Sequence, residues 1–124
     1  MATRTTAHVQ AHTRSVETRF EDVLAFLQDQ IGPNLTAYIA GRDTSTVSRW
    51  IKGDQKPPKE DIERRMRATY RIFQILAETD SNHVVRAWLI GMNPQLDEET
   101  PADALREDKL RDVLAAAMAF RAGG

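Results

Sequence analysis

Apolar side chains recur at steps of three and four from Ser15 to Ile31, where Val16, Phe20, Val23, Leu24, Leu27 and Ile31 share one helical face. Ser15 is placed to cap this helix, and Glu17 and Glu21 suit its positive N-terminal end. Gly32-Pro33 stops it, because proline disfavours helix at the residue before it. Asn34 is the expected cap of a short second helix, LTAYIAG, closed by Gly41. A third helix, capped by Asp43 or Thr44, runs to about Lys52. GDQKPPK makes a turn, with Pro58 suited to the first turn of the next helix. That helix is the longest, from about Lys59 to Glu78. Ile62, Met66, Tyr70, Phe73 and Leu76 or Ala77 form its stripe, and Arg64, Arg65, Arg67 and Arg71 lie largely off it. After TDSN, the segment HVVRAWLIG predicts a helix whose apolar members are Val84, Val85, Trp88 and Leu89. GMNPQLDEETP reads as an irregular stretch holding Leu96, and Pro101 opens a short helix to about Arg106. The last helix, EDKLRDVLAAAMAF, sets Leu110, Val113, Leu114, Ala117 and Met118 on one side. No window alternates as a strand does, so the predicted fold class is all-α.

The expected organisation is a disordered tail over 1–14, then a helix plus helix-turn-helix over 15–58. A helical domain, the long helix included, follows over 59–120, with a flexible tail over 121–124. At 124 residues the chain has the length of about one domain, and 41% hydrophobic residues suffice for a core. With no cysteine, disulfides and thiolate metal sites are excluded. No apolar run approaches the roughly 20 residues that span a bilayer, and MATRTTAHVQAHTR lacks the apolar block of a secretory signal. The expectation is a soluble cytoplasmic protein without membrane contact. The formal net charge of −1 conceals a gradient. Residues 32–71 carry nine basic and five acidic side chains, whereas residues 72–124 carry five basic and nine acidic. Two surfaces with two partners would explain this, as would uneven solvated helices.

The stretch AGRDTSTVSRWIKG carries the clearest chemistry. Two short helices joined by a glycine turn make a helix-turn-helix, whose second member enters the major groove. Ala37, four residues before Gly41, is small enough for close helix approach, and Gly41 can take positive φ. Val47 and Trp50 face inward, which leaves Thr44, Ser45, Ser48, Arg49 and Lys52 outside. Hydroxyls and guanidinium groups suit phosphate oxygens and base edges. Arg49 is expected at a guanine edge or a phosphate, and Lys52 and Lys56 at the backbone. Arg64, Arg65, Arg67 and Arg71 either extend this surface or pair with Glu60, Asp61 and Glu63 on a solvated face. The competing reading is a helical hairpin that keeps the shape without the DNA.

Catalysis is not expected. His8 and His12 are four apart but have no third ligand, and His83 reads as a surface or cap residue. Asp97, Glu98 and Glu99 are adjacent carboxylates without a partner for acid–base work. No cofactor or metal is expected.

STVSRWIKG with the upstream AYIAG resembles the helix-turn-helix of lambda-repressor-like, Xre-type regulators. Thr36 and Ala40 stand at usually more apolar positions, and Arg42 stands where an aliphatic residue is frequent. Over residues 32–120 the chain is similar to the Xre/MbcA/ParS antitoxins, which join such a unit to a C-terminal toxin-binding domain. The shared parts are a long Arg- and Tyr-bearing helix, Trp88-Leu89, the Asn93-Pro94 turn with Leu96, then Pro101, a short helix and a last helix. The acidic DEETP replaces a Gly-rich turn common in this type. The resemblance implies a bacterial antitoxin that covers the active-site entrance of a RES-domain, NAD⁺-destroying toxin and represses its own operon. It implies operator DNA and the toxin as partners in a larger toxin–antitoxin complex. A homodimer is expected because small domains often complete their core by dimerising and two-fold repressors read paired half-sites. Trp88, Leu114, Met118, Phe120 and Arg121 are the toxin-binding candidates, with Arg121 reaching into the NAD⁺ pocket. The competing reading is that Trp88, Leu89, Leu110, Val113, Leu114 and Met118, at helical spacing, form a core rather than an interface. The alternative is a stand-alone Xre-like regulator whose C-terminal half dimerises or senses something.

Overall fold

Helices follow one another through short turns in the computed structural model, which describes residue 11 and residues 18–123. They are α1 (Phe20–Ile31), α2 (Pro33–Ala40), α3 (Thr44–Lys52), α4 (Glu60–Ala77), α5 (Asn82–Ile90), α6 (Pro101–Arg106) and α7 (Leu110–Arg121). A 3₁₀ turn, Pro94–Leu96, interrupts the α5–α6 connection, and the described residues contain no strand. The fold is all-α.

The helix boundaries depart from the sequence pattern where backbone chemistry intervenes. α1 starts at Phe20, because Arg19 is extended and its carbonyl accepts from Asp22 and Val23 N–H. Ser15, Val16 and Glu17 lie outside the described residues, as do His8, His12 and all of the expected tail over 1–14 except Ala11. α2 starts at Pro33, one residue before its expected cap Asn34. Gly32 stands at the cap with φ 93°, and its carbonyl accepts both the N–H and Oγ1–H of Thr36. Proline at the first helical position loses nothing, since that N–H has no helical partner. α4 starts at Glu60, so Pro58 precedes the first turn rather than joining it. α7 starts at Leu110, not Glu107, because Asp108 takes φ 64° and residues 107–109 form the turn.

α1 packs against α2, α3 and α4, while α4 also supports α7, and α2 meets α6. Buried residues of all seven helices form one cluster, with Leu24, Leu27, Ile31, Ile39, Leu76, Leu89 and Leu105 almost fully enclosed. Each such side chain contributes about 1.5–3 kcal/mol. Phe26 lies edge-on to Tyr70 and Phe73 at centroid distances of 5.1 and 5.3 Å.

Two inward assignments change, and one open alternative resolves to Leu76. Leu76 is buried, not Ala77, and Val84 is 40% exposed while Val85 and Leu89 enter the core. Arg65, read as lying off the α4 stripe, is only 8% exposed. Among the described residues no helix is long and apolar enough to cross a membrane.

Candidate functional site

Gly41 ends α2 in the left-handed region, at φ 74°, and Arg42 N–H returns to the Ala37 carbonyl at 3.1 Å. This glycine-terminated hairpin turn leaves Asp43 extended at the start of α3. The Asp43 carboxylate accepts from Thr46 N–H at 2.8 Å and from the Ser45 hydroxyl at 3.2 Å. Thr46, through side chain and backbone, and Ser45 hold that carboxyl below the ordinary range. α3 is thus fixed at its N-terminus by a side-chain cap, and Gly53 ends it at φ 76°.

Val47 and Trp50 are buried and anchor the helix to the core. Thr44, Ser45, Arg49 and Lys52 are exposed and Ser48 is half-buried, with Thr44 and Ser48, and Ser45, Arg49 and Lys52, at steps of three or four along α3. Lys56 is exposed on the following loop. The Arg49 guanidinium is held by Gln55 Oε1 at 2.8 Å and Thr46 Oγ1 at 3.3 Å. Gln55 had no signal in the sequence as an Arg49 partner, since only the Gly53 turn brings it back beside α3. The Trp50 indole N–H is buried without an acceptor among the described residues.

Beyond α3 the arginines divide. Arg64 extends toward Glu60 at 3.8 Å, and Arg67 pairs with Glu63 at 2.9 Å. Arg65 instead turns inward. Its Nη1 donates to the carbonyls of Ile39 and Ala40 at 3.1 and 3.0 Å, and its Nε and Nη2 grip both Asp108 oxygens at 2.9 and 3.1 Å. A guanidinium at the C-terminal end of α2 satisfies carbonyls that the helix cannot, and complements their negative dipole.

The C-terminal candidates gather on and beside α7. Trp88 and Phe120 meet at 6.1 Å, tilted by 49°. Both, with Leu114, pack against the core while remaining partly exposed, and Met118 is half-buried. The Arg121 Nη1 donates to the Ile75 carbonyl at 2.6 Å, near the end of α4. Ile90 and Met92 are 58% and 75% exposed nearby in sequence.

The acidic run 97–99 builds a loop. Asp97 and Glu98 take φ 54° and 67°, and Asn93 N–H reaches Glu99 O at 3.1 Å. Glu99 holds Lys109 at 3.0 Å. His83 is exposed and Ser81 is the α5 cap. The described residues contain no group of three metal-ligating side chains. No family model matches the chain, and no curated protein or solved structure matches it either.

Proposed function

We propose that this chain is a cytoplasmic, non-catalytic antitoxin that binds operator DNA through α3 and neutralises a RES-domain, NAD⁺-degrading toxin through its C-terminal half. The observation that carries the DNA half is the outer face of α3. There Thr44, Ser45, Arg49 and Lys52 are exposed on a helix capped by Asp43 and anchored by Val47 and Trp50. Arg49 is already oriented by Gln55 and Thr46, which reduces the ordering cost of a phosphate or guanine contact. Support for the toxin half is the partly exposed Trp88–Phe120 pair together with the sequence resemblance. A homodimer reading paired half-sites, within a larger toxin complex, belongs to the same reading.

Deleting residues 107–124 would remove Val113, Ala116 and Ala117 from the core, so point variants make the better test. Operator duplex is titrated at two salt concentrations with Arg49→Ala and Lys52→Ala, alongside toxin pull-down and NAD⁺-depletion assays with Phe120→Ala and Arg121→Ala. Arg49→Ala should cost about tenfold in operator affinity, and added salt should weaken binding steeply. Loss of toxin rescue in Phe120→Ala supports the antitoxin reading. Salt-dependent operator binding without any toxin association leaves the stand-alone regulator, and neither activity overturns both.

A further inference from the structure

Ala11 falls in the stretch expected as a disordered tail, yet it is helical and fully enclosed. It does not belong to the common core cluster, and neither does Ile75 of α4, which is also fully enclosed. A side chain loses its water only against other atoms, so both need a covering neighbour that this cluster does not supply. Ile75 stands three positions after Ile72 and four after Arg71, which line a groove of about 470 Å³ between α4 and α7. Ala68, Leu110 and Leu114 complete the apolar lining of that groove, and Arg67 joins Arg71 on its rim.

The chain reaches this rim at Thr18, whose carbonyl accepts from Arg67 Nη1 at 2.6 Å. Arg67 is also held by Glu63 at 2.9 Å, and Arg67, Arg71 and Gln74 are each engaged. Steps of four and three set these three along one edge of α4. From Arg67 to Gln74 the helix rises about 10 Å, and seven helical residues back from Thr18 reach Ala11 over the same length. We infer that the segment ending at Thr18 is a strap laid along this edge, with Ala11 seated at Gln74 and Ile75. The occupant of the edge is thus the chain's own sequence. Glu17, Ser15 and Thr13 offer acceptors for guanidinium groups, and Ala7 and Ala11, four apart, are small enough for close approach to α4. The strap narrows the way to Leu114, the one groove residue also assigned to toxin contact, and so governs access to that side of α7.

The chain has no cysteine, so introduced thiols report one position each. In the full chain, Ala11→Cys is timed against a thiol reagent, in buffer and in urea. Ala11→Cys/Gln74→Cys is treated at low concentration with a short bifunctional thiol reagent, and Leu114→Cys is timed with and without Ala11→Glu. Thermal melts verify that each variant is folded. The thiol at position 11 should react about tenfold slower in buffer than in urea, because labelling waits for local opening. Positions 11 and 74 should cross-link within one chain, and Ala11→Glu should speed labelling at position 114 by about tenfold. Equal labelling of position 11 in buffer and urea overturns the strap. So do cross-links formed only between chains, which would make the contact an exchange between copies. Labelling at position 114 that Ala11→Glu leaves unchanged overturns the control of access.

Discussion

Arg65 shows what a single residue can do in this fold. It lies three positions after Ile62 and four before Thr69, in phase with the buried face of α4, yet its charge suggests solvent. The forked guanidinium makes burial tolerable, because two α2 carbonyls and both Asp108 oxygens satisfy it at once. Arg65→Met should destabilise by about 2–3 kcal/mol in urea unfolding, since Asp108 and both carbonyls lose their donor. A loss below about 0.5 kcal/mol would contradict the clamp. The Arg65 hydrogen bonds hold the Asp108 carboxyl below the ordinary range, so the folded state favours its charged form. That contribution is complete above the ordinary carboxylate pKa and fades as pH falls through the lowered value. Asp108→Asn should therefore unfold at a urea midpoint that changes less than the parent's between about pH 6 and about pH 3. Asp43, lowered in the same sense, leaves part of the acid dependence in place.

At the scale of elements, α3 is specified by its ends. Asp43 and Gly53 bound a helix of nine residues, which is too short to persist without packing and caps. Asp43→Ala should lower the thermal unfolding midpoint, because the Thr46 N–H loses its side-chain acceptor. These signals are local, so the helix-turn-helix was legible in the sequence, and α3 runs from Thr44 to Lys52 as the pattern requires. The starts of α2 and α7 were not. Gly32 takes over the capping that Asn34 was expected to supply, and the positive φ of Asp108 delays α7 by one turn. Neither follows from periodicity, because each depends on what the neighbouring backbone groups bond to.

The molecule as a whole joins its two halves through polar contacts as well as a shared core. The Tyr38 hydroxyl of α2 donates to Asp103 of α6, Arg106 donates to the Tyr38 carbonyl at 3.1 Å, and its guanidinium lies 4.5 Å from the Tyr38 ring centroid. With one hydrophobic cluster spanning α1 to α7, unfolding should be a single transition. The two tryptophans lie in different halves, so Trp50→Phe and Trp88→Phe each leave one local fluorescent probe. Their midpoints should coincide with that of far-UV circular dichroism. Separate midpoints would mean that the two halves melt independently. Leu105→Ala, at a fully buried site in α6, should lower both probes together by about 2–4 kcal/mol.

Helical periodicity, the glycine and proline breaks and the absence of strand alternation determined the fold class and the outward face of α3. These depend on spacing along one chain, which a sequence records directly. The tertiary structure alone decided that Arg65 enters the core, that Gln55 steadies Arg49, and that Arg121 meets the end of α4. It also set α4 beside α7 to form an arginine-rimmed groove. Each of these is a meeting of residues distant in sequence or returned by a turn. Its energy depends on distances that no linear pattern contains.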